Sequence, residues 1–259
     1  MTLLHALLFG FVEGISEFLP ISSTAHLILT GQLLGLPQTE FLKTFEVAIQ
    51  LGAILSVVVL YWRSFLQSKE VLLKVGAAFV PTMIVGFILH EIIKNVFFES
   101  TTLILWSLLL GGVFLIAFER THTEKSDAKD TIASISYKQA AIIGLFQSIA
   151  VVPGVSRAAA TIVGGLLLGL KRKTIVDFSF LLAVPTMLAA TALDLVKEGS
   201  AFSSADYGLL AVGFVTSFVV AILAIKWLLR FIKNHSFTAF GIYRIAVAIL
   251  FYLYVQSFA

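Results

Sequence analysis

The chain contains no cysteine. Disulfides and thiolate-bound metals are thereby excluded, and no signal of redox compartment is present. Charge is scarce as well. Asp, Glu, Lys and Arg make up 13% of the residues, against ~25% in ordinary soluble domains. The net charge of +3 is too small to imply nucleic acid as a partner. Low-complexity tails, soluble appendages and lipidation motifs are missing. So is a basic leader: MTLLHALLFGFVEGISEFLP opens without Lys or Arg. It carries Glu13 and Glu17 where the apolar core of a removable signal would continue. The segment is therefore expected to remain in the mature protein.

What the chain has in abundance is apolar surface: 59% of its 259 residues are hydrophobic. A soluble fold of this size has no means of hiding so much, so lipid must be part of the solvent. Six segments are long and apolar enough to cross a bilayer as helices: 45–62, 75–93, 101–118, 175–194, 207–229 and 238–256. Regions 1–36 and 138–170 are apolar but interrupted, the first at Leu19-Pro20-Ile21-Ser22-Ser23-Thr24 and the second at Val152-Pro153-Gly154-Val155-Ser156-Arg157. Each interruption leaves flanking runs too short to span. They are expected to form re-entrant hairpins whose irregular turns sit inside protein or a wet cavity.

The two interrupted regions resemble each other at a spacing of 134 residues. Gly10 falls on Gly144, Ile15 on Ile149, Ser22 on Ser156, Gly31 on Gly165, and Leu33-Leu34-Gly35-Leu36 on Leu167-Leu168-Gly169-Leu170. Glu13 falls on Gln147, which keeps shape without charge. Each half reads as a hairpin followed by three spans. An odd number of crossings makes the second half enter from the opposite side of the membrane.

Basic residues agree with that topology. Arg63, Lys69, Lys74, Arg120, Lys125, Lys129, Lys138, Lys171, Arg172, Lys173, Arg230 and Lys233 collect on one side, and chiefly Lys43, Lys94 and Lys197 on the other. The richer side is expected to be cytoplasmic. The expected fold is an all-α polytopic membrane protein with about six transmembrane helices plus two re-entrant helical hairpins in an inverted repeat. It forms one membrane domain, 1–259, with pseudo-symmetric halves 1–120 and 138–259 joined by a cytoplasmic loop 119–138. The hairpin tips are expected to meet near the midplane.

Ionisable groups at membrane depth cost about 2.5–3.5 kcal/mol each on insertion scales and are functional candidates by default. The first hairpin carries Glu13, Glu17 and His26, with hydroxyls at Ser16, Ser22, Ser23 and Thr24. Glu13 and Glu17 share a helix face at i, i+4, and two close carboxylates need a divalent cation, a shared proton or an arginine between them. The run Ser22-Ser23-Thr24 reads as the N-cap of a returning helix, 25–36. Free N–H groups at such an end suit phosphate. A hydroxyl there is a candidate nucleophile, and His26 a candidate proton handler. In the second hairpin Arg157, Ser156 and Thr161 are the candidates, with Gly154 supplying an unusual backbone φ. The planar guanidinium of Arg157 suits phosphate, or a salt bridge to Glu13 or Glu17, in turn with and without substrate.

Other features have ordinary readings. Gln50 is expected to hydrogen-bond a hairpin or simply to pack. Pro81 and Pro185 are expected to kink their spans. Trp62, Tyr207, Trp227 and Tyr254 sit near span ends as an aromatic belt. Tyr243-Arg244 reads as an anchor at the start of the last span, or a group that reaches an anionic head group. His90, His122 and His235 read as interfacial or loop-borne.

The stretch Glu13-Gly14-Ile15-Ser16-Glu17-Phe18-Leu19-Pro20-Ile21-Ser22-Ser23-Thr24-Ala25-His26 resembles the first signature of the undecaprenyl-diphosphate phosphatases, also called bacitracin resistance proteins. Pro153-Gly154-Val155-Ser156-Arg157 resembles the second. Supporting stretches are Phe45-Glu46-Val47-Ala48-Ile49-Gln50-Leu51-Gly52, Phe178-Ser179-Phe180-Leu181-Leu182 and Gly241-Ile242-Tyr243-Arg244. The resemblance covers the whole chain in order. It implies a bacterial inner-membrane enzyme that hydrolyses undecaprenyl diphosphate to the monophosphate, recycling the lipid carrier of cell-wall synthesis. It also implies help from a divalent cation (Mg²⁺ or Ca²⁺) and a site open to the periplasm. The site residues it points to are Glu13, Glu17, Ser22, Ser23, His26, Ser156, Arg157 and Thr161. One departure stands out: Ala158 and Ala159 follow Arg157 where the family continues with Ser-Gly.

Together these readings predict Ser23 as nucleophile with His26 moving its proton. Glu13 and Glu17 hold the cation. Arg157 binds phosphate with Ser22, Thr24, Ser156 and Thr161. Activation of the serine by a carboxylate rather than His26 stays open, as does attack by His26 or a metal-bound water. The rival class is a polyprenyl-phosphate flippase or transporter built on the same inverted repeat. Prenyl chain length and homo-oligomerisation are also left open.

Overall fold

The computed structural model describes residues 1–37, 39–67, 69–92, 100–125, 127–198 and 204–258. Lys94, and the side chains of His90 and Lys197, lie outside the described residues. Among the described residues the chain is helical without strands, apart from an isolated backbone pairing of Lys129 with Leu170.

Both interrupted regions are pairs of short helices, built alike. α1 (Leu3–Ser16) opens with a capping box in which Thr2 caps His5 and His5 reaches back. α6 (Tyr137–Ser148), 134 residues later, opens with the same device made by Ser136 and Gln139. Each box satisfies donors that a helix start leaves unpaired. The returning helices are α2 (Ser23–Leu33) and α7 (Arg157–Leu167), 11 residues each and again in register. α2 thus begins two residues before, and stops three before, the helix 25–36 expected from the hydroxyl run. Ser23 is inside the helix rather than ahead of it. At 14 residues or fewer, and ~1.5 Å per residue, none of the four crosses a ~30 Å hydrocarbon core. That geometry is compatible with re-entrant hairpins.

The six long helices are α3 (Glu40–Gln67), α4 (Lys69–Ile92), α5 (Thr101–Thr121), α8 (Arg172–Glu198), α9 (Ser204–Phe231) and α10 (Thr238–Phe258). Each contains a stretch long and apolar enough to span: Phe41–Phe65, Lys69–Leu89, Thr101–Thr121, Arg172–Ala192, Tyr207–Phe231 and Thr238–Ser257. These coincide with the six predicted segments, and the protein is a multi-pass membrane protein. Large apolar side chains such as Phe87, Ile88, Leu223 and Leu250 are left exposed on the outside of the bundle, as lipid requires. α4 and α8 run on through Pro81 and Pro185, and the interruption of helical dihedrals falls at Tyr61 in α3. Tyr61 there donates to Asp177 of α8 at 2.6 Å.

Packing is exchanged between the first and second parts of the chain. α1 lies against α9, α6 lies against α4, and α5 pairs with α10. In the first two contacts a glycine at matching positions sets the approach. A methyl group on Gly10 would run into the backbone carbonyl of Gly213, and one on Gly144 into that of Ala78. Thr82 then donates to the Gly144 carbonyl at 3.0 Å. Small residues that let backbones come close are how membrane helices gain contact without a hydrophobic driving force. The largest buried cluster joins Phe18 and Ile21 of the first turn to Ala158 and Ile162 of α7 and Phe178 and Phe180 of α8. It takes in the first tip and the helix that follows the second. Ala158 is fully buried there, so the position that departs from the family pattern is apolar packing.

Candidate functional site

The two tips carry the same strained backbone. Ser22 has φ 74° and Ser156 φ 75°, and these are the only non-glycine residues with positive φ among those described. Left-handed conformations cost a non-glycine residue about 1–2 kcal/mol or more and persist only where surroundings enforce them. Gly154, in the second tip, has φ 97°, as its sequence position suggested.

Each serine stands at the N-cap of its helix, but they differ. Ser156 Oγ accepts from Ala159 N–H at 3.2 Å. Ser22 makes no side-chain cap bond. The start of α2 is the uncapped one, and Ser23 is its first residue.

Ser23 donates its hydroxyl hydrogen to one carboxylate oxygen of Glu17. The other oxygen of Glu17 accepts from Arg157 Nη2 at 3.1 Å. Arg157 Nη1 donates to the Ser179 carbonyl at 2.9 Å, and its guanidinium lies over the Phe18 ring, 5.9 Å from the centroid. Glu17 and Arg157 are both nearly buried, with side chains 8% and 11% exposed. The two hairpins therefore meet in a chain of three polar groups, Ser23–Glu17–Arg157.

His26 lies elsewhere. Its Nδ1 is 2.7 Å from the Ser22 carbonyl, which can only accept, so Nδ1 carries the hydrogen. Nε2 of the neutral ring then accepts from Tyr243 Oη at 2.9 Å, and the two rings stack at 5.5 Å. The partner of Ser23 is thus a carboxylate, in place of the histidine expected from spacing. The helix turn from Ser23 to His26 aims the imidazole at α10.

Glu13 is fully buried, and neither carboxylate oxygen has a partner. Glu17, Glu46 and Arg157 are its charged neighbours. Glu46 of α3, not singled out from sequence, also has a buried carboxylate oxygen without a partner. Its signal was its place in the Phe45–Gly52 stretch. Among the described residues no three acidic or histidine side chains converge as a ready metal cage. The donor chemistry nonetheless fits a hard cation at Glu13, whose two oxygens are free. Glu17 is committed on both oxygens in this arrangement.

The remaining candidates fall into place around this core. Thr161 is fully buried and donates within α7, with its oxygen 2.6 Å from Ser179 Oγ. It supports the segment that holds Arg157 and does not face an open site. Ser16 donates back to Val12 at 2.5 Å within α1. Among the described residues, Thr24 takes no part in the network around Glu17.

Arg244 departs furthest from expectation. Sequence position suggested an anchor at the membrane surface, yet its side chain is fully buried and donates to backbone carbonyls of both tips and of α5.

The chain matches the family model described as bacitracin resistance protein BacA over residues 6–250. It is 54% identical to an undecaprenyl-diphosphatase of Sulfurihydrogenibium sp. (strain YO3AOP1), covering 98% of this chain and 100% of that one. It is 49% identical to one of Aquifex aeolicus (97% and 98%) and 46% identical to one of Wolinella succinogenes (99% of each). With the two tip motifs in contact and the match running nearly end to end, the chain belongs to the bacitracin resistance protein family.

Proposed function

We propose that this chain is an undecaprenyl-diphosphatase of the bacterial inner membrane. It removes the terminal phosphate of the lipid diphosphate and returns the monophosphate carrier to cell-wall synthesis. The observation that carries the reading is the Ser23–Glu17–Arg157 chain. It is a nucleophile at an uncapped helix start, bonded to a base that is itself bonded to a phosphate-binding cation. A carrier needs charge to bind its cargo but has no use for a serine bonded to a carboxylate, and the relatives lend the flippase alternative no support.

The halves 1–120 and 138–259 act as an inverted pair. Their hairpins enter from opposite faces, with the site open to the periplasm. The prenyl tail stays in the lipid layer between helices. On arrival the terminal phosphate draws Arg157 from Glu17, while the N–H groups at the start of α2 take its oxygens. Ser23 Oγ then attacks phosphorus and Glu17 accepts the proton. The bond to the bridging oxygen breaks and the prenyl monophosphate leaves. Water hydrolyses the resulting phosphoserine: Glu17 returns its proton to Ser23 Oγ as the phosphate leaves, and His26 Nε2, once its bond from Tyr243 opens, takes the water's proton. Glu13 would hold Mg²⁺ or Ca²⁺, with Glu46 beside it and Glu17 once freed. Such a cation neutralises charge on the diphosphate.

The test is phosphate release from a C15 or C55 prenyl diphosphate by detergent-purified protein, with and without EDTA, beside Ser23→Ala and Arg157→Ala. Metal-dependent release lost in both variants supports the reading. No release from folded wild-type protein with metal present overturns it.

A further inference from the structure

Arg244 is a cation with no surface exposure, and among the described residues every hydrogen bond it makes goes to a backbone carbonyl. Nη1 donates to Pro20 at 3.3 Å and to Val155 at 3.0 Å. Nη2 donates to Gly154 at 2.7 Å and to Ser107 at 3.0 Å. Nε reaches Leu108 at 3.4 Å. Burying an arginine without a carboxylate costs several kcal/mol unless its donors are satisfied. Here that satisfaction comes from three separate segments: the first tip, the second tip and α5. The turn carbonyls of Pro20, Gly154 and Val155 lack helical partners and need a donor at depth. Gly111 makes room, since a methyl group there would collide with the guanidinium.

We infer that Arg244 is a positioning residue for the phosphatase site, clamping the two hairpin tips so that Arg157 meets Glu17 and Ser23 in register. The inference rests on the proposed activity only for its kinetic readout. A single nitrogen bonds both tips, so the Pro20 and Val155 carbonyls are held within one atom's reach. Pro20 stands midway between Glu17 and Ser23, and Val155 two residues before Arg157. Any slackening of the clamp is passed on within three residues to the reacting groups. The neighbouring Tyr243 holds His26, so one turn of α10 touches both tips and the helix that carries Ser23. Lysine is no substitute: one ammonium point has three donors and lacks the planar fork that reaches apart to two tips.

The experiment uses the full chain in detergent. Arg244→Lys removes the fork, and Gly111→Ala keeps the arginine but crowds it, so one variant stands in should the other fail to fold. A cysteine pair, Ile21→Cys with Val155→Cys, reports on the tips in an otherwise cysteine-free protein. Disulfide formation between the tips is expected with Arg244 present, falling at least about tenfold with either variant. A 1 Å displacement costs about 10²-fold in rate, so kcat is expected to fall by that order in folded protein. Combined with Arg157→Lys, the losses are expected to be far less than multiplicative, because both act on one contact. Unchanged cross-linking in both variants, absence of the cross-link with Arg244 in place, or losses that multiply independently would each overturn the clamp. The cross-link reads the clamp without any turnover, so its failure is separable from failure of the phosphatase reading.

Discussion

Arg157 of the second hairpin reaches Glu17 of the first at 3.1 Å, 140 residues back along the chain, in a nearly dry setting. Glu17 also takes the Ser23 hydroxyl, so one carboxylate ties that hydroxyl to the guanidinium. Removing one partner of such a buried pair strands the other and costs about 3–5 kcal/mol. Arg157→Met is expected to lower the thermal midpoint in detergent accordingly. Arg157→Met with Glu17→Gln is expected to recover much of that stability while remaining inactive. A double variant as unstable as the sum of the singles would show that the pair is not coupled.

Ser23→Ala is expected to reduce phosphate release to background while substrate still binds. Because the Ser23 hydroxyl is bonded to Glu17 and not to His26, Glu17→Gln is expected to cost more turnover than His26→Ala. Tyr243→Phe removes one neutral hydrogen bond from His26, worth about 0.5–1.5 kcal/mol, and is expected to slow turnover only a few-fold. Steady-state kinetics on the four variants checks the order, and a larger loss in His26→Ala would return the base role to the histidine.

Glu13 offers two buried, free carboxylate oxygens. Magnesium or calcium ions are expected to raise the unfolding temperature of the purified protein, by linkage of binding to folding. That shift is expected to vanish in Glu13→Gln and to shrink in Glu46→Gln. A metal-induced shift that survives Glu13→Gln would place the cation elsewhere.

Gly144 lies against the Ala78 backbone, whereas a methyl group on Gly86 of α4 meets nothing within 4 Å. Gly144→Ala is expected to cost about 1–3 kcal/mol by overpacking. Gly86→Ala is expected to be neutral or to stabilise by up to about 1 kcal/mol through helix propensity. Thermal unfolding of the two variants side by side tests whether the α4–α6 contact is as close as described.

Single cysteines can map the topology cleanly, as the chain has none of its own. Pro37→Cys, after the first hairpin, is expected to react with a membrane-impermeant maleimide from the periplasmic side of intact cells. Lys125→Cys is expected to react only after lysis. The opposite pattern would reverse the orientation and the exposure of the site.

Much of this was legible in the amino-acid sequence because it depends on local or periodic properties. Hydropathy over ~20 residues marks a span whatever it packs against, and all six segments appear where they were expected. The 134-residue spacing places strained serines and short helices in register because equivalent backbone demands select equivalent residues. Charge at depth picked out Glu17 and Arg157 because burying it without a partner is too costly to be incidental.

The direction in which side chains leave the backbone was not legible. His26 follows Ser23 closely in sequence yet points to Tyr243 of α10. Thr161 shares a face with Arg157 yet is sealed against Ser179. Arg244 looked like a surface anchor and is the innermost arginine, because its partners are carbonyls. Every residue has a carbonyl, so no sequence pattern distinguishes those of the two tips as acceptors. By itself the sequence determined that the chain is a membrane protein, how many times it is able to cross, and which charges the two hairpins bring to depth. Only the tertiary structure decided which groups touch, since hydrogen bonds and ion pairs act over about 3 Å, and helices far apart in the chain set distances on that scale.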